Sequence, residues 1–302
     1  MVDGLLFAIA AGLAWTGIAA VCSHVARKGL DIVDFQLVFG TVIMLGAWGY
    51  CDWGAIVSGP VPELGTLAVN MISAGVVGGV GMLAIVWAMR MGHQSITWTV
   101  SQSSMVVPFI AGLVIWGDPA RPAGAIGVAA VLAALVLLGL SRRGANHKDN
   151  NGRLAVWLVL VAMTFILWGV QQTLCSLPSR WEGWSDVGRM RLALHRTGSF
   201  ILMVLITALR RRIPDRACIG PSLLAGFLGI IGGVTLFAAI DAMAEADRIG
   251  LVFPLCISTC VAGFALYSRL WLKEKLAAAG TIGLAMSLAG ILLIGLDSCR
   301  LL

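Results

Sequence analysis

Gly75-Val76-Val77-Gly78-Gly79-Val80 and Gly229-Ile230-Ile231-Gly232-Gly233-Val234 are one six-residue pattern written twice, 154 positions apart in a chain of 302 residues. Two further matches keep the same order. Trp15 followed by Cys22-Ser23 returns as Trp168 followed by Cys175-Ser176, offset 153. Gly124-Ala125-Ile126-Gly127, closing on Leu137-Leu138-Gly139-Leu140, returns as Gly280-Thr281-Ile282-Gly283, closing on Leu293-Ile294-Gly295-Leu296, offset 156. Any one match between apolar stretches is cheap, but three in one order at nearly one offset describe an internal repeat.

The runs that carry these matches are too apolar for water. Hydrophobic residues make up 59% of the chain, charged residues 12%, and mean hydropathy is +0.93. A soluble domain carries about 25% charged residues to hydrate its surface, so the surrounding medium is lipid. A spanning helix needs about 20 apolar residues. Ten runs qualify: 4–26, 32–50, 64–89, 95–116, 122–140, 154–177, 187–209, 219–241, 249–272 and 277–296. They leave short connections and no room for a sizeable soluble domain. The 37 Gly, only two Tyr and absence of strict alternation argue against a β-barrel. The opening Met1-Val2-Asp3-Gly4 lacks the positive region of a signal peptide, so the first span is expected to remain.

The expected fold is therefore all-α integral membrane, with ten transmembrane helices in two five-helix repeats, 1–143 and 152–302. The polar stretch 144–151 joins them. Five is odd, so the second repeat enters the bilayer from the opposite side and the repeats are inverted. Inverted repeats recur in secondary transporters, with the solute site near midplane where the halves meet.

The seven cysteines are scattered without a C-x-x-C and read as small hydrophobes, so no metal or cofactor is expected. The net charge of +6 comes from Lys and Arg spread over connecting loops, which fits membrane orientation better than nucleic acid. Neither a zinc H-E-x-x-H, an acyl-transfer G-x-S-x-G, nor a Walker A sequence occurs. An integral membrane enzyme or an ATP-driven pump is thus disfavoured. A channel would be expected to carry a filter or a ring of charges, which one pseudo-symmetric chain does not require.

The repeat architecture, Trp15 and Trp168 on the first and sixth spans, and the Gly-rich third and eighth spans resemble the drug/metabolite transporter superfamily, EamA-like branch. So does the end of the ninth span, Leu270-Trp271-Leu272-Lys273-Glu274-Lys275-Leu276 before Gly280-Thr281-Ile282-Gly283, with Trp116-Gly117-Asp118-Pro119 as its first-half equivalent. The resemblance covers nearly the whole chain. It implies a multi-pass cell-membrane transporter of a small organic metabolite, such as an amino acid or a sugar. The short, Trp-rich chain is also similar to glucose/ribose porters of that superfamily. Members often begin the seventh span with an Arg, a place that Arg191 fits best.

Polar residues inside the spans are the site candidates, because each must be paired, hydrated or functional. In the sixth span Thr164, Trp168, Gln171, Gln172 and Cys175 fall mostly on one face. An indole with two amides suits a solute bearing hydroxyl or amide groups; the alternative is helix–helix hydrogen bonding. Trp15 and Trp168, as repeat mates, should face each other across the cavity. In the seventh span Arg189 and Arg196 share one face, and Arg191 and His195 another, about 140° away. Arg196 lies roughly 9 Å deep. Two readings stand for it: a guanidinium snorkelling to headgroups, or a clamp for a solute carboxylate. In the fourth span Ser101-Gln102-Ser103-Ser104 precede Pro108, where an unwound turn could offer backbone groups to a solute. Asp241 is the candidate for proton coupling, and His24 reads as interfacial. The expected partners are the solute and the bilayer, with the protein a monomer or homodimer.

Lys and Arg also predict an orientation. Loops on the side of the termini carry four (Arg121, Arg180, Arg248, Arg300), whereas the opposite loops carry thirteen. Positive loops stay in the cytoplasm, so the charges put both termini outside. The family resemblance implies both termini inside.

Overall fold

The computed structural model describes residues 2–51, 53, 64–92, 94–117, 122–144, 151–181, 190–244 and 252–298. Asp118, most of the 144–151 linker, Arg189 and the side chain of Asp241 lie outside the described residues. The described chain is helical and contains no strand. The helices are α1 (Val2–Lys28), α2 (Ile32–Gly49), α3 (Leu64–Met89), α4 (Gln94–Gln102), α5 (Val106–Ile115), α6 (Pro122–Gly144), α7 (Asn151–Ser176), α8 (Met190–Arg210), α9 (Ile219–Ala244), α10 (Val252–Leu270) and α11 (Ala278–Ser298). A 3₁₀ turn, Ser103–Met105, joins α4 to α5 and makes one crossing of them. Among the described residues nine helices are long and apolar enough to cross a bilayer, and Pro122–Leu138 is a shorter apolar helix.

Local chemistry sets the breaks. Gly29 takes φ +66° after α1, a conformation that costs glycine nothing. Asp31 then caps α2, its carboxylate accepting from the N–H groups of Val33 (2.9 Å) and Asp34 (3.2 Å). Pro108 has no N–H to return to the Ser104 carbonyl, and the chain tightens into the 3₁₀ turn just before it.

The outer surface is apolar. Leu45, Val69, Val114, Val159 and Leu205 are all more than half exposed, which lipid tolerates and water does not. Inside, α1 packs against α9 and α10, α7 against α3 and the α4–α5 crossing, α2 against α8 and α9, and α6 against α11. Small residues set the closest crossings. A Cβ on Gly127 would meet the Gly290 carbonyl oxygen at 2.7 Å, and one on Gly290 the Gly127 carbonyl at the same distance. Gly75 abuts the His195 carbonyl, and Gly198 the Ile72 carbonyl, so α3 and α8 touch backbone to backbone.

Two polar ties hold one end of the bundle. Arg210 grips Asp31 with both terminal nitrogens, at 2.8 and 2.5 Å, while Arg212 reaches the buried Asp34 at 3.3 Å. Glu274 accepts from the N–H groups of Gln94 (2.7 Å) and Ser95 (3.2 Å) and from the Ser95 hydroxyl (2.7 Å). A carboxylate thus caps the positive end of α4 from across the fold. Beside the first tie opens a cavity of about 600 Å³, lined among others by Lys28, Trp87, Arg90, Arg210 and Arg212.

Candidate functional site

The polar face of α7, buried at Thr164 and Trp168 and half-buried at Gln171, Gln172 and Cys175, turns to α3, α4 and α8. It begins at Thr164, whose hydroxyl donates to its own helix at Leu160 O (2.9 Å) and lies 3.4 Å from Gly81 O on α3. One turn on, the Trp168 Nε1–H points at the Gly78 carbonyl (3.4 Å). Its ring meets Trp98 of α4 edge to face, with centroids 5.8 Å apart at 85°. The Trp98 N–H in turn faces the Cys260 sulfur at 3.3 Å. Gln171 and Gln172 then diverge. The Gln171 amide nitrogen pairs with Nε2 of His195 on α8 (3.0 Å), whereas that of Gln172 donates to the Ser104 hydroxyl in the 3₁₀ turn (3.0 Å). Glycine makes the first approach feasible, since a Cβ on Gly78 would stand 2.9 Å from the Gln171 amide carbon.

The α8 residues divide as their spacing predicts. Arg191 and His195 both turn to α7: the Arg191 guanidinium donates to the Cys175 carbonyl, and His195 pairs with Gln171. Arg196 lies near Cys175 without bonding to it. Its Nε is buried without a partner, and no hydrogen bond or ion pair among the described residues engages its guanidinium. Nearby, Asn70 of α3 donates to the Leu174 carbonyl (2.8 Å), and the Trp48 N–H to the Thr197 hydroxyl (2.9 Å). Alanine-sized and glycine positions on α3 therefore leave room that amides and indoles fill.

The structure brings Trp168, Gln171, Arg191 and His195 together at the α3–α7–α8 junction and links Gln172 to the α4–α5 break. Ser101 and Gln102 are buried on α4, but the Ser101 hydroxyl is spent on Thr97 O of its own helix (2.9 Å). The break itself is a tightened 3₁₀ turn rather than an open one. Ser103 crosses to Ser287 of α11 at 3.0 Å. Trp15 packs its indole edge on α9, where a Cβ on Gly232 would come within 2.9 Å of Nε1, much as Trp168 meets Gly81 on α3. Both indoles adjoin the same core, yet the ring that meets Trp168 is that of Trp98. Trp98 is not among the residues the sequence marks; its place four residues before Gln102, one helical turn, is the available signal. Ser104 and Asn70 were equally unmarked as partners. Among the described residues no group of His, Cys, Asp and Glu is placed to hold a metal ion.

No protein-family profile matches the sequence, and no curated protein matches it. Eleven chains of solved structures do match in fold. One, described only as "Crystal structure of protein", superposes with a TM-score of 0.65 at 16% identity, over 100% of this chain and 99% of the other. At that identity the likeness speaks to the fold alone, and it extends from end to end of both chains.

Proposed function

We propose that the chain is a secondary transporter of the cell membrane, moving a small organic metabolite (an amino acid, a sugar or a related solute) by alternating access. In this reading ten spans form two inverted five-helix repeats, 1–143 and 152–302, as in the EamA-like drug/metabolite transporters the sequence resembles. The exchange of partners between halves supports the repeat: α1 lies on α9 and α10 as α7 lies on α3 and α4–α5, while α2 meets α8 and α6 meets α11. Trp15 meets Gly232, and its repeat mate Trp168 points its N–H at Gly78, the repeat mate of Gly232.

One observation carries the function. The polar groups of α7 are neutral amides and an indole held by single hydrogen bonds to other helices, Gln171 to His195 and Gln172 to Ser104. Single neutral bonds in a membrane interior are each worth about 0.6 kcal/mol, so a solute that offers equivalent groups can replace them. The Gln172–Ser104 bond joins parts that an alternating motion must separate, the α4–α5 break of one half and α7 of the other, while the Gln171–His195 bond ties α7 to α8 within the second half. Trp15, Ser101, Gln102, Trp168, Gln171, Gln172, Arg191, His195 and Arg196 make up the proposed solute site. No cofactor takes part, no covalent step is needed, and the energy comes from a solute or proton gradient.

The test is uptake of a solute panel into proteoliposomes with and without a pH gradient. Gln172→Leu should lower transport by about tenfold or more while the melting temperature in detergent stays close to that of the wild type. Trp168→Phe, which keeps a ring against Trp98, separates packing from recognition. A Gln172→Leu protein that transports at the wild-type rate, or a wild type that moves no member of the panel, refutes the proposal.

A further inference from the structure

Arg196 is a half-buried cation in an apolar bundle whose guanidinium has no partner among the described residues. It lies six residues into α8, about 9 Å below the Met190 end. The exposed side chains of α8 mark its lipid face: Ile201 is 40% and Leu205 56% exposed. Leu192, against Gly233 of α9, and Met203, 1% exposed, mark the inner face. At 100° per residue Arg196 falls about 40° from Leu192 and 20° from Met203, but about 140° from Ile201 and 180° from Leu205. The guanidinium is therefore rooted on the protein side of the helix, facing away from the lipid that a snorkelling chain would follow.

Among the described residues no acceptor meets it there. The Arg196 Nε is buried and unpaired, and the ion pairs among the described residues are those of Arg210 and Arg212 with Asp31 and Asp34, near the far end of the same helix. Its polar neighbours are His195 beside it and Cys175 on α7, neither of them an anion. An unpaired charge in such a place is costly unless something supplies the missing partner. A guanidinium presents a planar fork of donors that matches a carboxylate bidentately. The Gln171 amide, paired with the adjacent His195, is at hand to hold the rest of a small molecule.

We infer that the transported solute is an oxyanion, a carboxylate-bearing metabolite whose negative group is held by Arg196. This rests on the transport reading above and narrows it, removing neutral sugars from the substrate class. Cys175 and Gln171 both belong to α7, so the anion would sit between α8 and α7.

The test measures binding by itself, apart from transport. The full chain, purified in uncharged detergent without added lipid so that no headgroup supplies an anion, is melted in the presence of propionate, benzoate, propionamide, benzamide or inorganic phosphate. Carboxylates should raise the melting temperature and the matched amides should not. Arg196→Gln should weaken carboxylate binding by about tenfold to a hundredfold. The unliganded variant should melt at or above the wild-type temperature, because it no longer carries an unpaired buried charge. An Arg196→Gln protein that melts well below the wild type overturns the inference, since the guanidinium would then have a structural partner. So does equal stabilisation by acids and amides, stabilisation by phosphate that Arg196→Gln retains, or no stabilisation by any acid. Proteoliposomes separate the two ideas: neutral solutes transported equally by wild type and Arg196→Gln leave the transporter standing and remove the oxyanion. Acids that bind but never cross remove the transporter and leave the site.

Discussion

Replacing Gly75 by alanine adds one methyl group where α3 and α8 have no space for it. The new Cβ would stand 2.9 Å from the His195 carbonyl carbon and 3.0 Å from the Ser199 nitrogen, with the His195 carbonyl oxygen nearer still. These are backbone atoms and cannot swing aside, while ordinary contact begins at 3.4 Å. The helices must part by about half an ångström or more, and a gap of that size forfeits roughly a quarter to a half of each contact's dispersion energy. The Ser199 hydroxyl bond to the Gly75 carbonyl, 2.7 Å long, spans the same gap and stretches with it. Overpacking costs about 1–3 kcal/mol, the lost interhelical bond about 0.6, and the better helix propensity of alanine returns up to about 1. The net is a destabilisation of roughly 0.5–2.5 kcal/mol. Gly40 is the control, since a Cβ there meets no heavy atom within 4 Å. Gly40→Ala keeps only the propensity gain, about 0.5–1 kcal/mol. Thermal melts in detergent, followed by tryptophan fluorescence, should therefore move in opposite directions for the two variants. Because His195 moves with α8, Gly75→Ala should also weaken solute binding through Gln171. Shifts of the same sign, or a Gly75→Ala protein as stable as the wild type, would refute the backbone-contact reasoning.

Two further outcomes follow from charge. The Arg210 guanidinium and the capping N–H groups hold the Asp31 carboxyl well below the usual carboxylate range, so its contribution to stability is complete above the unfolded-state value near pH 3.9 and fades as pH falls below that. Asp31→Asn keeps the helix cap but not the charge. It should lower the melting temperature at pH 7 by the equivalent of up to about 1 kcal/mol, since the Arg210 side chain is a third exposed. The gap from wild type should begin to narrow below about pH 4 and close only as pH falls through the lowered folded-state value, and a gap that stays constant or widens would show that the ion pair contributes nothing. For orientation, a reporter active only in the cytoplasm should be silent when fused after Leu302 and active in the 144–151 linker, as the thirteen-to-four loop charge bias requires. The reverse pattern would mean that the orientation implied by the family resemblance prevails over loop charge.

Helix existence and position were legible in the sequence because the solvent imposes them locally. A backbone in hydrocarbon must satisfy its hydrogen bonds within the segment, so an apolar run of sufficient length becomes a helix whatever surrounds it. The runs at 32–50, 64–89 and 219–241 accordingly reappear as α2, α3 and α9 with ends displaced by three residues at most. The division of α8, with Arg191 and His195 on one side and Arg196 on another, followed from 100° per residue and needed no partner helix. Partner identity is another matter. Nothing in the local sequence says that Trp168 takes Trp98 as its ring partner instead of its repeat mate Trp15, or that Gln172 reaches Ser104. Nor does it say that Glu274 caps a helix beginning 180 residues earlier. Hydrophobicity ranks all neighbouring helices alike in lipid, so association is decided by close shape fit and single hydrogen bonds between residues far apart in the chain. The glycines of α3 and α9 announce that something packs closely there. Only the tertiary structure says that the neighbours of α3 include the α8 backbone, Gln171 and Trp168, and that Arg196 is left facing the protein interior with no partner among the described residues.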